Sequence, residues 1–204
     1  MYEHLLMNDK SAIGIVKITD LTTNEVLVHK QNAIHFGNIS WAITNALEGN
    51  DEGHITHMVF GSGGTSVDSS GNISYRSPNT SNLQDPSAEP FQPTFWKQLG
   101  DADIETATGT SNFSDLVTTV IIQFGEPNNT NPEFLQDPTD QAATTNATYV
   151  FDELALYTGT SIGTLNPFDF APTGRMLTHV IFHPVQKAAN RELEIEYTVR
   201  VQMG

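Results

Sequence analysis

Residues 192–202 alternate without a break. Leu193, Ile195, Tyr197, Val199 and Val201 fall on one side; Glu192, Glu194, Glu196, Thr198, Arg200 and Gln202 fall on the other. A period of two is that of a strand with one buried and one wet face, so this stretch belongs in a sheet and needs neighbours. A second extended run starts at Met176, and only a short polar turn separates the two. Residues 176–202 therefore predict a terminal hairpin, with Pro184 ending its first strand just after His183.

Upstream, 12–19 and 25–30 are β-rich and flank Leu21-Thr22-Thr23-Asn24, a turn sequence that predicts a hairpin. Further strands are expected over 54–60, 114–124 and 147–157. In the last of these Asp152 and Glu153 split across the two faces, which places one of them at an edge, a bulge or an interface. The single helix expected spans Ile39 to Leu47. Asn38 is its candidate cap, Gly49 its stop, and Ile39, Ala42, Ile43, Ala46 and Leu47 form an apolar stripe that packs on a sheet. Trp41 flanks the stripe as a packing anchor.

Between Gly61 and Gly109 the chain turns rich in Gly, Ser, Asn, Asp and Pro. Pro78, Pro86, Pro90 and Pro93 exclude a central strand from its second half. The stretch also carries Tyr75, Phe91, Phe95, Trp96 and Leu99, so a partly ordered excursion is expected, packed on its own domain or on a neighbour. Tyr75, Phe91, Phe95 and Trp96 are the candidate interaction residues. Two more polar loops are expected, one with Pro127, Pro132 and Pro138 and one over 158–174. Leu-Gln-Asp-Pro recurs at 83–86 and 135–138, and 56–60 echoes 178–182, but the matches are short and unevenly spaced. The expectation is all-β: one domain over 1–204, an antiparallel β-sandwich or barrel with one short helix, long polar loops and an excursion at about 61–110.

Composition narrows the function. Nine basic against twenty-four acidic residues give a formal charge of −15, a balance repelled by a nucleic-acid backbone. Cysteine is absent, which removes disulfides and thiolate metal sites. No apolar run is long enough for a membrane helix, and the first residues lack the pattern of a signal peptide. Without such a signal, the Asn-x-Ser/Thr sequons at Asn38, Asn72, Asn79, Asn112, Asn128 and Asn146 read as products of composition.

Chemistry is sparse. Phe60-Gly61-Ser62-Gly63-Gly64-Thr65 runs a strand into a glycine turn, but no Lys lies beside the Ser/Thr as a phosphate loop requires, so a tight turn or close packing is expected. His54 and His57 are three apart and point to opposite faces of a strand; His179 and His183 share a face two strand steps apart. These four read as surface or edge histidines, and His4, His29 and His35 show no partner. Carboxylate pairs two apart, Asp101/Asp103 and Glu194/Glu196, share a strand face if extended; the glutamates belong to the wet face of the terminal strand, whereas glycosidase-type pairs converge from different strands, and no Gly-x-Ser-x-Gly elbow occurs. No catalytic role, cofactor or metal is expected.

The segment Phe182-His183-Pro184-Val185-Gln186-Lys187, followed by Glu192 to Val201, resembles the ends of many tailed-bacteriophage virion proteins of similar size. Leu27 to His35, the helix, the strand into Phe60–Thr65, and Phe151 to Tyr157 are similar to the same class. The resemblance implies a structural subunit, most like a neck or collar protein at the head-to-tail connection. It implies a homo-oligomeric ring whose partners are other virion proteins (portal or connector, tail), no catalytic residues, and location in the virion after assembly in host cytoplasm. Head decoration, tail tube or baseplate remains an alternative placement. A carbohydrate-binding module using the 91–96 aromatics is a separate reading.

Overall fold

The computed structural model describes residues 12–79, 90–108, 113–123, 148–159, 174–188 and 190–202. Among these, β1 (Ala12–Asp20), β2 (Glu25–Ile34), α1 (Phe36–Glu48), β3 (Ile55–Gly61), β4 (Thr65–Val67), β5 (Ile73–Tyr75), β6 (Pro93–Gln98), β7 (Ile104–Thr108), β8 (Phe113–Ile122), β9 (Thr148–Thr158), β10 (Met176–Ala188) and β11 (Leu193–Gln202) follow in chain order. Nine strands make one curled antiparallel sheet, a half-barrel, in the order β6-β3-β9-β10-β2-β1-β11-β8-β7; β4 and β5 form a separate hairpin. The all-β expectation holds. The two Leu-Gln-Asp-Pro repeats, the loop with Pro127, Pro132 and Pro138, most of 158–174, His4, and the sequons at Asn112, Asn128 and Asn146 lie outside the described residues.

The first hairpin forms as its pattern predicts, with Asn24 in the left-handed region at φ 58° closing the turn. The terminal hairpin does not form. β10 and β11 are both strands, but β10 pairs with β9 and β2, while β11 pairs with β1 and β8. The β1–β2 hairpin is inserted between them, and β2 is the corner of the sheet. It follows β1 from Glu25 to Asn32 and meets β10 only at Ala33 and Ile34. The short connection after Ala188 therefore crosses from one half of the sheet to the other. It is tied down there: Leu21 N–H donates to the Glu192 carbonyl, and the Arg191 guanidinium meets the buried Asp20 carboxylate at 2.7 Å.

Both halves face one core. Val16, Ile18, Val120, Ile122, Ile195 and Tyr197 from one side meet Phe60, Phe151, Leu154, Leu156, Val180 and Phe182 from the other. Tyr197 is fully buried, and its hydroxyl accepts from the Asn32 side chain, which occupies the space a Cβ on Gly14 would need. α1 closes one end with Ile39 and Ala42. Its cap is His35, not Asn38: His35 Nδ1 accepts from Asn38 N–H at 3.1 Å, and the Asn38 side chain donates instead to the Met176 carbonyl. His35, expected to lack a partner, is thus buried with a defined role. Gly49 ends the helix at φ 80° as expected. Ile43 and Leu47, however, are 42% and 84% exposed, so the sheet covers only part of the apolar stripe.

Pro184 does not end β10. The register with β9 breaks between Ile181 and Val185, where four steps on β10 oppose two on β9, from Glu153 to Phe151. A proline fits such a bulge because no ladder N–H is required of it. The break also flips the parity of β9. Tyr149 and Phe151 face the main core before it and Leu154 and Leu156 after it, leaving Asp152 and Glu153 at the irregularity.

Candidate functional site

The irregularity in β9 holds the excursion in place. Asp152 and Glu153 are both buried. Glu153 Oε1 accepts from Gly63 N–H at 3.0 Å and Gln92 N–H at 2.8 Å; Oε2 accepts from Phe91 N–H at 3.0 Å. Asp152 accepts from Gly64 N–H at 2.9 Å, from Thr65 N–H at 2.8 Å and from the Thr65 hydroxyl. The glycine turn is therefore an anion-binding nest whose anions are the chain's own carboxylates. This is the close packing its sequence predicts.

His179 completes the cluster. Its Nδ1 accepts from Asn79 N–H at 2.8 Å, so Nε2 carries the proton and donates to Glu153 Oε2 at 2.9 Å. His57 and His179, expected at surfaces or edges, are both buried. The reason is that each lies beside the doubly covered strand β9. Burial alone would raise the Glu153 carboxyl, but the bond from His179 and those from Gln92 and Phe91 outweigh it and hold the pKa below the usual value. Asp152 goes the other way. Burial pushes its carboxyl up, the bonds from Thr65 and Gly64 offset only part, and the Glu153 charge adds to the rise.

Gly61 admits the cluster. A Cβ there would meet Glu153 Oε1 and sit 2.6 Å from the Gln92 carbonyl oxygen. Gly61→Ala should cost about 1–3 kcal/mol, the range for overpacking a tight site, measured as a lower urea midpoint with an unchanged slope.

Beyond the clamp, the chain forms the β4–β5 hairpin, its loop organised by Asp68, which accepts from Ser70 N–H, Asn72 N–H and the Asn72 amide. Arg76 N–H returns to the Gly64 carbonyl at the hairpin's base. The chain then comes back as β6, beginning at Pro93, on the edge of the sheet beside β3. An edge is where a proline-led strand is tolerated. The excursion thus contains β4, β5, β6 and β7, none of which stands out as a periodic run. The last two form the opposite edges of the sheet.

The four candidate interaction residues separate. Phe95 lies in the main core against Phe60 and Tyr149 and has no exposed surface. Trp96 points to the other side of the sheet, half-buried over a second small cluster of Val59, Ala155, Tyr157 and Met176, and meets the His57 ring edge-on at 5.3 Å. Tyr75 and Phe91 are the pair that stays outward, 51% and 37% exposed. The Tyr75 hydroxyl meets His183 Nδ1 at 3.1 Å, and Lys30 Nζ sits 5.9 Å from the Tyr75 ring centre. The Arg76 guanidinium covers the Phe91 ring at 4.8 Å. The clamp is not legible in the sequence, because its donors lie some sixty to ninety residues away from the acid pair. Its one visible signal was an adjacent acid pair inside an apolar strand.

A groove opens at the far end of β3. It encloses about 590 Å³ between α1 and the β7–β8–β11 half of the sheet, with Ile43, Ala46, Ile55, Ile104, Leu116 and Val201 among its lining residues. Among the described residues no group of three His, Asp or Glu side chains is placed to hold a metal ion. No protein-family model matches the chain, and no curated protein or solved structure matches it either.

Burial draws the His57 imidazole down to a pKa of about 4. Because the folded value lies below the unfolded value of 6.5, its contribution is complete above pH 6.5 and is lost as pH falls toward 4. Denaturant titrations between those pH values should show this slope in the wild type and not in His57→Gln.

Proposed function

We propose that the protein is a structural subunit of a tailed-phage particle, forming a ring in the neck or collar with neighbouring virion proteins. The observation that carries this reading is the acidic clamp. Two buried carboxylates are used to fix a loop excursion onto a β-scaffold, and the excursion presents Tyr75 and Phe91 outward. Loops held rigidly on a sheet and carrying exposed aromatics suit recognition of another protein surface, because little ordering entropy is left to lose on binding. The same carboxylates are saturated by backbone N–H groups, which leaves them poorly disposed to acid–base chemistry.

The resemblance of 182–187, 192–201 and 151–157 to virion proteins selects the particle, and the −15 charge suits a surface that DNA passes without adhering. Head decoration, tail tube or baseplate is the alternative placement within the same class. The carbohydrate reading is weakened by the aromatics themselves: Phe95 is in the core, and Arg76 already lies on the Phe91 face. Mass photometry of the protein mixed with the other virion proteins of its particle tests the proposal. A ring-sized complex is expected, and monomer alone in every mixture would end it.

A further inference from the structure

We infer that the protein docks head to tail on a second copy of itself, the Tyr75–Phe91 knob of one copy entering the groove beside α1 of the next. This deepens the ring reading above and supplies its subunit contact. The two surfaces are complementary. The knob presents apolar and basic groups: Val67 (63% exposed), Tyr75 and Phe91 lie with Lys30 and Arg76, and the one exposed carboxylate of the hairpin loop, Asp68, is turned onto Ser70 and Asn72. Lys30 Nζ donates to the Ile181 carbonyl at 2.7 Å and Arg76 stacks on Phe91, and neither meets a carboxylate among the described residues. By contrast, Arg191 pairs with Asp20 and Arg200 with Asp115.

The groove is apolar and acidic. Asp101 lines it, exposed Asp51 and Glu52 flank its lining residue Gly53, and no Lys or Arg is among the lining residues described. The uncovered part of the helix stripe, Ile43 and Leu47, extends this apolar face. The surfaces cannot meet within one subunit. Ile55 and Thr56, at one end of β3, line the groove, while Gly61, at the other end, leads into the clamp that carries the knob. The length of that strand puts them about 20 Å apart. A contact between two different surfaces at opposite ends is heterologous, the type that closes into rings when the rotation allows. In a chain of charge −15, general self-repulsion disfavours any contact that does not bring a basic surface to an acidic one.

Sedimentation velocity of the full chain over a concentration series tests this with four proteins. Wild type should self-associate. Ala46→Trp, which fills the groove from an exposed helix position, and Arg76→Glu, which sets like charges against the rim, should each weaken association by about tenfold or more. The double variant Arg76→Glu/Asp101→Arg should recover much of the loss. Thermal melting of each variant confirms that the fold persists. Variants that associate like wild type would overturn the knob-and-groove contact while leaving a ring built through other surfaces. A wild type that stays monomeric alone yet joins its partner proteins would overturn self-docking and leave the virion reading standing. A wild type that does neither would remove both.

Discussion

Glu153→Ala should lower the stability of the protein by about 3–5 kcal/mol, the cost of breaking a buried charge network by removing one member. Three backbone N–H groups and the His179 Nε2–H lose their acceptor together, and the fully buried His179 has no water to turn to. The damage should be local before it is global. The amides of Gly63, Phe91 and Gln92 should exchange with solvent much faster than those of β11, because they are held by the side chain and not by a ladder. Glu153→Gln, nearly isosteric, should recover only part of the loss: its amide carries an NH2 where either one pair of donors or the other must point. Acid should act in the same sense. Glu153 titrates below its unfolded value of 4.5, so its contribution is present above that pH and is lost as pH falls through the folded value. Asp152, whose folded value is raised, opposes this: its contribution is present at low pH and is lost as pH rises. Urea midpoints from pH 7 downward should fall more steeply for wild type than for Glu153→Gln, and equal slopes would show that the cluster does not hold Glu153 ionised.

Phe151→Ala should be comparably damaging, at about 3–5 kcal/mol. Phe151 is fully buried, with ring centres of Phe60, Tyr149 and Phe182 at 5.3, 5.5 and 5.7 Å. It joins strands from β3, β9 and β10 immediately before the register break. The cavity left behind would be lined by large rings held on separate strands, which cannot collapse onto it without moving the bulge. Phe151→Leu should cost markedly less, because it keeps more of the volume, and Phe91→Ala at the surface less again. Equal losses for Phe151→Ala and Phe91→Ala would show that the aromatic cluster does not carry the core. Calorimetric melting of the three variants decides the order.

The fold was legible wherever periodicity reports burial. The alternation of 193–202 correctly marks Leu193, Ile195, Tyr197 and Val199 as buried, and the turn at 21–24 correctly joins β1 to β2. The excursion was legible only as a contrast in composition. β4, β5, β6 and β7 are too short to show a period, and the pairing that makes β6 a strand comes from β3, some forty residues earlier in the chain. Tyr75 and Phe91 could not be separated from Phe95 and Trp96 by residue type. Which aromatics turn outward depends on the side of the sheet that β6 presents.

By itself, then, the sequence determined which segments extend, which of their faces are apolar, and that chemistry-bearing clusters are few. Each of these depends on neighbours within a few residues. Tertiary structure decided who pairs with whom. A period of two selects a face for β10 and β11 but names no partner, and the β1–β2 hairpin took the place between them that a terminal hairpin would have left closed. It also decided the fate of the acidic pair. Adjacent carboxylates in an apolar strand must find donors or break the sheet, and only the folded chain brings the N–H groups of 63–65 and 91–92 close enough to satisfy them.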